Sequence, residues 1–218
     1  MDARENREKT IKDAKCTLIL DAAKTIFAQH GFHATRLEDI AAAAGFSKAS
    51  LYNYYPNKES IFLHLALREY AALTASIEQD VSDGLSLEDT LHKTLQILLR
   101  ALGKHFALLL EISDFRSMPL FCMGQTPHDE HLLQEELLQH MEKLKCFFVL
   151  VLKNARQRGE LKAALSEEKL ADYLAAQVRG VIFEWKFAGK MGDVDKEIES
   201  MLTFMLHGLC GISEHGAE

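Results

Sequence analysis

Apolar residues recur along most of this chain at spacings of three and four, the pattern of helices that bury one face. Ile19, Ala22, Ala23, Ile26 and Phe27 make one such face, and Gly31 is placed to end it as a left-handed cap. Thr35 followed by Glu38 reads as a capping box that opens a second helix over 37–44. Gly45 supplies a turn, Ser47 caps a short third helix over 48–55, Pro56 stops it, and Asn57 caps the next. Ser86 with Asp89 starts another helix, and Thr126, Pro127 and Asp129 open a long one that Gly159 breaks. Two more are predicted over 166–189 and 193–212, the last with Ile198, Met201, Leu202, Met205, Leu206 and Leu209 on one side. No segment alternates as a strand does, so the expected fold is all-α with about nine helices, preceded by a solvated, disordered tail over residues 1–10.

Charge divides this helical chain unevenly. The net charge is −7, yet residues 1–60 hold 9 basic and 8 acidic side chains while residues 61–218 hold 16 and 24. A near-neutral head on an acidic body suits a protein whose head alone meets a polyanion. No apolar run approaches the roughly 18 residues of a membrane span, and MDARENREKT has no apolar segment behind it, so a cytoplasmic location without membrane contact is expected. Cys16, Cys122, Cys146 and Cys210 stand far apart with no CxxC pair and read as ordinary thiols. There is no GxSxG elbow, no P-loop, no GxGxxG after a strand and no HExxH, which argues against an enzyme and against a cofactor. His128 and His131 share a helix face with Asp129 and Glu130 nearby; acidic residues in a first turn answer the helix dipole, so no metal site is expected.

The informative chemistry lies between residues 18 and 62. ILDAAKTIFAQHGF, followed by TRLEDIAAAAGFSKASLYNYYPNKESIF, closely resembles the N-terminal pattern of the TetR family of bacterial transcriptional regulators. The small residues Ala41 to Ala44 suit close packing of a following helix, and on that helix Leu51 and Tyr55 are four apart and should anchor it inward. Ser47, Lys48, Ala49, Ser50, Tyr52, Asn53 and Tyr54 would then face mostly outward. The resemblance places Lys48, Ala49 and Ser50 where bases are read, Lys48 suited to guanine and Ala49 to a thymine methyl. It implies backbone contacts from Tyr52, from Lys58, and from Thr35 and Arg36 at the start of the second helix. Phe46 stands where a valine-like residue is common, and Asn53 where histidine is frequent. Singly, the tyrosines could be core and the lysines solvated; their order with the caps and turn carries the DNA-binding reading.

That reading implies a helix-turn-helix domain over 1–60 and a helical effector-binding and dimerisation domain over 61–218. The expected protein is a homodimer on a palindromic operator in double-stranded DNA, a repressor released by a small-molecule effector. Residues 180–190 (GVIFEWKFAGK) and the closing IESMLTFMLHGL resemble the last two family helices, which form the dimer interface. Phe106, Phe115, Phe147 and Trp185 are the aromatic candidates for an effector site, although any one of them is more simply a core residue. The competing reading is a helical ligand carrier or adaptor without sequence-selective DNA binding.

Overall fold

The computed structural model describes residues 3–81, 84–104 and 128–208, and among them every regular element is a helix. We number these α1 (Ala3–Ala34), α2 (Leu37–Ala43), α3 (Lys48–Tyr52), α4 (Lys58–Asp80), α5 (Leu87–Lys104), α6 (His128–Gln157), α7 (Glu167–Phe187) and α8 (Val194–His207). Eight helices among the described residues agree with the all-α expectation. The N-terminus differs from it: residues 3–10 are helical and exposed, and Arg4 donates to Glu8 one turn on at 3.0 Å. Charged residues four apart support a helix that has no core to rest on.

The chain separates into two compact units, one built on residues 1–70 with 105–139 and the other on 71–104 with 140–218. In the first, Ile19, Ala23 and Phe27 of α1 are fully buried, as their spacing requires, and pack with Ile40, Leu51 and Ile61 to Ala66. Phe27, Phe32 and Phe62 form an aromatic triangle with ring centroids 5.0 to 5.7 Å apart. The opening turns of α4 therefore belong to the head's core, and the head runs past residue 60. Ion pairs add to this attachment: Lys24 donates to both Glu69 oxygens at 2.9 Å, and Arg68 meets Asp21 at 2.9 Å.

Gly31 has φ 74° and ψ 165°, a backbone region open essentially to glycine alone. It kinks α1 rather than closing it as a left-handed cap, and Phe32 to Ala34 make a further turn beyond it.

In the second unit α8 packs on α5, with Ile198, Met201 and Leu202 buried, the face that the sequence pattern marks. Ser86 accepts from the Asp89 N–H at 3.0 Å and Asp193 accepts from the N–H groups of Asp195 and Lys196, so both helix starts follow local sequence. The turn between α6 and α7 is held by Arg156, which donates to the carbonyls of Ala163 at 2.7 Å and Leu165 at 2.6 Å and pairs with Glu167. Glu160 accepts from the Leu87 N–H at 2.6 Å; its carboxyl is held below its ordinary pKa chiefly by Arg158, with the Leu87 bond next. Among the described residues no helix is long and apolar enough to cross a membrane.

Candidate nucleic-acid interface

The head builds its exposed face from α2, a tight turn and α3. Helix α2 ends in a turn in which Gly45 N–H donates to the Ala42 carbonyl at 3.2 Å and Phe46 N–H reaches the Ala41 carbonyl at 2.8 Å. Gly45 takes φ +76°, which costs glycine nothing and would strain any other residue. The chain then redirects into α3, where the Ser47 hydroxyl accepts from the Ser50 N–H at 3.1 Å. Leu51 and Tyr55 are buried beneath it, as expected, although the helix itself stops at Tyr52. Burial raises the pKa of the Tyr55 phenol, and the adjacent Cys16 thiol adds to the effect.

With those anchors inward, Ser47, Lys48, Ala49, Tyr52 and Asn53 are exposed and Ser50 is half-buried. Small side chains in the first turn let the backbone approach a partner closely. The face is neither enclosed nor furnished with a nucleophile and base, so its chemistry is that of docking rather than catalysis.

Four expected contact residues are engaged within the protein. Lys48 forms an ion pair with Glu38 of α2 and lies 6.0 Å from the Tyr52 ring centre. This hydrogen bond is the first cause of the depressed Glu38 pKa and of the raised Lys48 pKa. Tyr54 is half-buried, its ring 5.9 Å from that of Phe46, so the larger residue at position 46 draws the tyrosine partly out of the reading face. Thr35 is only 2% exposed and donates to the Gly31 carbonyl at 2.7 Å, which removes its hydroxyl from any phosphate. The reciprocal cap at the start of α2 belongs to Arg36 and Asp39: the Arg36 N–H donates to Asp39 at 3.1 Å, and Asp39 N–H to the Arg36 carbonyl at 3.1 Å. The capping box expected of Thr35 and Glu38 is thus shifted by one residue, because Thr35 turns inward and Glu38 outward to Lys48.

Lys58 departs furthest from expectation. Its ammonium donates to the carbonyls of Phe32 at 2.8 Å, Thr35 at 3.1 Å and His33 at 3.2 Å, and sits 4.5 Å from the centre of the Phe32 ring. An ammonium has three donors, and all three are in use. Nothing in the local sequence signals this, since the acceptors lie 23 to 26 residues away.

The architecture and the face now identify the protein's kin. The family model described as "Bacterial regulatory proteins, tetR family" matches residues 19–65, the segment that forms this head. The chain is also 30% identical over 198 residues to the HTH-type transcriptional regulator RutR of Escherichia coli K12, covering 88% of this chain and 70% of that one. It belongs to the TetR family. Solved TetR-type folds agree along nearly the whole length: a FadR regulator from Bacillus subtilis, in complex with stearoyl-CoA, superposes with a TM-score of 0.72 at 19% identity over 88% of this chain and 98% of that one. A Thermus thermophilus FadR in complex with lauroyl-CoA gives 0.61 at 25% identity over 93% and 98%. This TetR-family chain is a transcriptional regulator, and its relatives are not enzymes.

Of the aromatic effector candidates, Phe106 and Phe115 lie outside the described residues. Phe147 is half-buried, its ring 5.8 Å from that of Phe148. Trp185 is 5% exposed and so close to Gly192 that a Cβ there would lie 2.7 Å from the indole nitrogen, which gives it a packing role in the α7–α8 region. An open groove of about 400 Å³ in the second unit is lined instead by Asp80, Lys93, Gln96, Ile97 and Arg100.

The Glu38–Lys48 pair has a testable consequence. Lys48 must exchange Glu38 for a base or phosphate on binding, so Glu38→Gln should tighten duplex binding several-fold by leaving the ammonium less engaged. Because the Glu38 pKa is depressed, the pair's small contribution to stability is present above the ordinary carboxylate value and fades as pH falls through the lowered one. Fluorescence anisotropy with labelled duplex, wild type against variant, reads the effect directly.

Proposed function

We propose that this regulator is a repressor that binds a palindromic operator as a homodimer and leaves it when a small acyl-CoA thioester occupies the body. The carrying observation is α3: anchored by Leu51 and Tyr55, it offers Ser47, Lys48, Ala49 and Asn53 to a major groove. Lys48 and Ala49 read bases, while Arg36 and Tyr52 meet the sugar-phosphate backbone. The acyl-CoA class is suggested by the two FadR complexes and is a proposal for this chain alone. Selection of bound sequences from a random duplex library, followed by titration at two salt concentrations, tests the DNA reading; recovery of an inverted repeat supports it. A panel of acyl-CoA thioesters that left operator affinity unchanged would remove the effector reading.

Homodimerisation rests on a separate observation. Phe183 and Phe187 of α7 stack with centroids 5.7 Å apart while 58% and 84% exposed, and Phe204 of α8 is 50% exposed. Large aromatic side chains left in water in this way mark an interface, and we assign it to a second copy of the chain. Changing Phe183 and Phe187 together to glutamate should give a monomer by sedimentation velocity. It should also weaken operator binding by roughly 100-fold or more, the avidity lost with the second head.

Coupling between effector and operator needs a continuous element, and α4 runs unbroken from Lys58 to Asp80. Its first turns share the head's core and its ion pairs with α1, so a shift of α4 carries the head with it. A coupling of about 1 to 3 kcal/mol is enough to change operator affinity by roughly 5- to 150-fold.

A further inference from the structure

The first thirteen described residues of α1, Ala3 to Lys15, precede its deeply buried residues and project as an exposed helix about 20 Å long. One side of this projection does not stand alone. Glu8, Ile11, Lys12 and Lys15, spaced as one helical face, border a shallow groove of about 320 Å³ whose other wall is Asn53 and Tyr54, at the end of the reading element. The Lys15 ammonium lies 5.9 Å from the Tyr54 ring centre. Glu8, the acidic member, is paired with Arg4 at 3.0 Å, and among the described residues neither lysine has a carboxylate partner.

We propose that Lys12 and Lys15 form a second DNA contact, gripping the phosphates at the edge of the groove that α3 enters. The inference rests on the DNA-binding reading and deepens it. A duplex that meets Asn53 at the end of a five-residue helix continues beyond it, and the first surface it reaches on that side is this pair of ammonium groups. The major groove is only about 12 Å wide, so a side chain beside an inserted helix meets the flanking strand and not the bases. Contacts of this kind orient the head and carry no sequence information. They also explain how a head with a single net positive charge can hold a polyanion: the cations that matter are gathered on the DNA side.

The test is salt-dependent titration of the full-length protein against its selected operator and an unrelated duplex, comparing wild type with the Lys12→Gln, Lys15→Gln double variant. Affinity for both duplexes should fall about tenfold and the slope of log K against log salt by about 2, with the selected sequence unchanged. The Lys12→Arg, Lys15→Arg variant should retain wild-type slope, and both variants should keep wild-type helicity and melting temperature. A double glutamine variant with unchanged slope, from a wild type that binds, overturns this proposal alone. A wild type that binds no duplex overturns the regulator reading and this one with it.

Discussion

Replacing Lys58 with methionine should lower the stability of the head by about 3 kcal/mol, the order expected when charge-assisted hydrogen bonds to partly buried carbonyls are lost. Methionine keeps the aliphatic stem but removes every donor, leaving the Phe32, His33 and Thr35 carbonyls without their shared partner. Those carbonyls lie in the link between the Gly31 kink and the start of α2. Operator binding should weaken as well, because α2 and the turn that aims α3 are displaced. A lysine acting only as a phosphate contact predicts a different pair of results: unchanged stability and a salt slope lower by about 1. Urea unfolding and salt titration on the same variant separate the two, and unchanged unfolding with a reduced slope would return Lys58 to the DNA.

The Lys58 clamp illustrates what could and could not be read from residues alone. Helix order, the Gly45 turn, the Ser47, Asn57, Ser86 and Asp193 caps and the inward pair Leu51 and Tyr55 are local: each depends on partners within four residues, and the sequence carries them openly. Long side chains are another matter. Lys48 finds Glu38 ten residues back, Arg156 reaches Leu165 nine residues on, and Lys24 pairs with Glu69 across 45. Such contacts depend on which helices become neighbours, and periodicity does not encode that. Thr35 and Tyr54 were exposed to the same difficulty, since a short polar or amphipathic side chain at a helix edge can turn either way. Tyr54 turns partly inward because Phe46 offers it an aromatic surface, and Thr35 because the kinked end of α1 presents a free carbonyl. The helical N-terminal extension was missed for the opposite reason. Its support is a run of charged residues with no apolar stripe, a pattern that a tail and a projecting helix share.

A glutamate at position 49 should abolish operator binding while leaving the fold intact. Ala49 is exposed in the first turn of α3, touches none of the buried anchors' functions, and lies where the helix dipole favours an acidic side chain, so the melting temperature should hold or rise slightly. On DNA the same carboxylate would be driven against base-edge acceptors and flanking phosphates without a partner. A like-charge juxtaposition of that kind costs several kcal/mol, which puts the loss of affinity at roughly 100-fold or more. The loss should extend to every sequence in a selected pool, because the repulsion comes from the backbone as much as from any base. Anisotropy titration beside a thermal melt reads both quantities from one preparation. Binding that survives Ala49→Glu in a folded protein would mean that α3 does not enter the groove, and the DNA-reading role would then have to be sought elsewhere on the head.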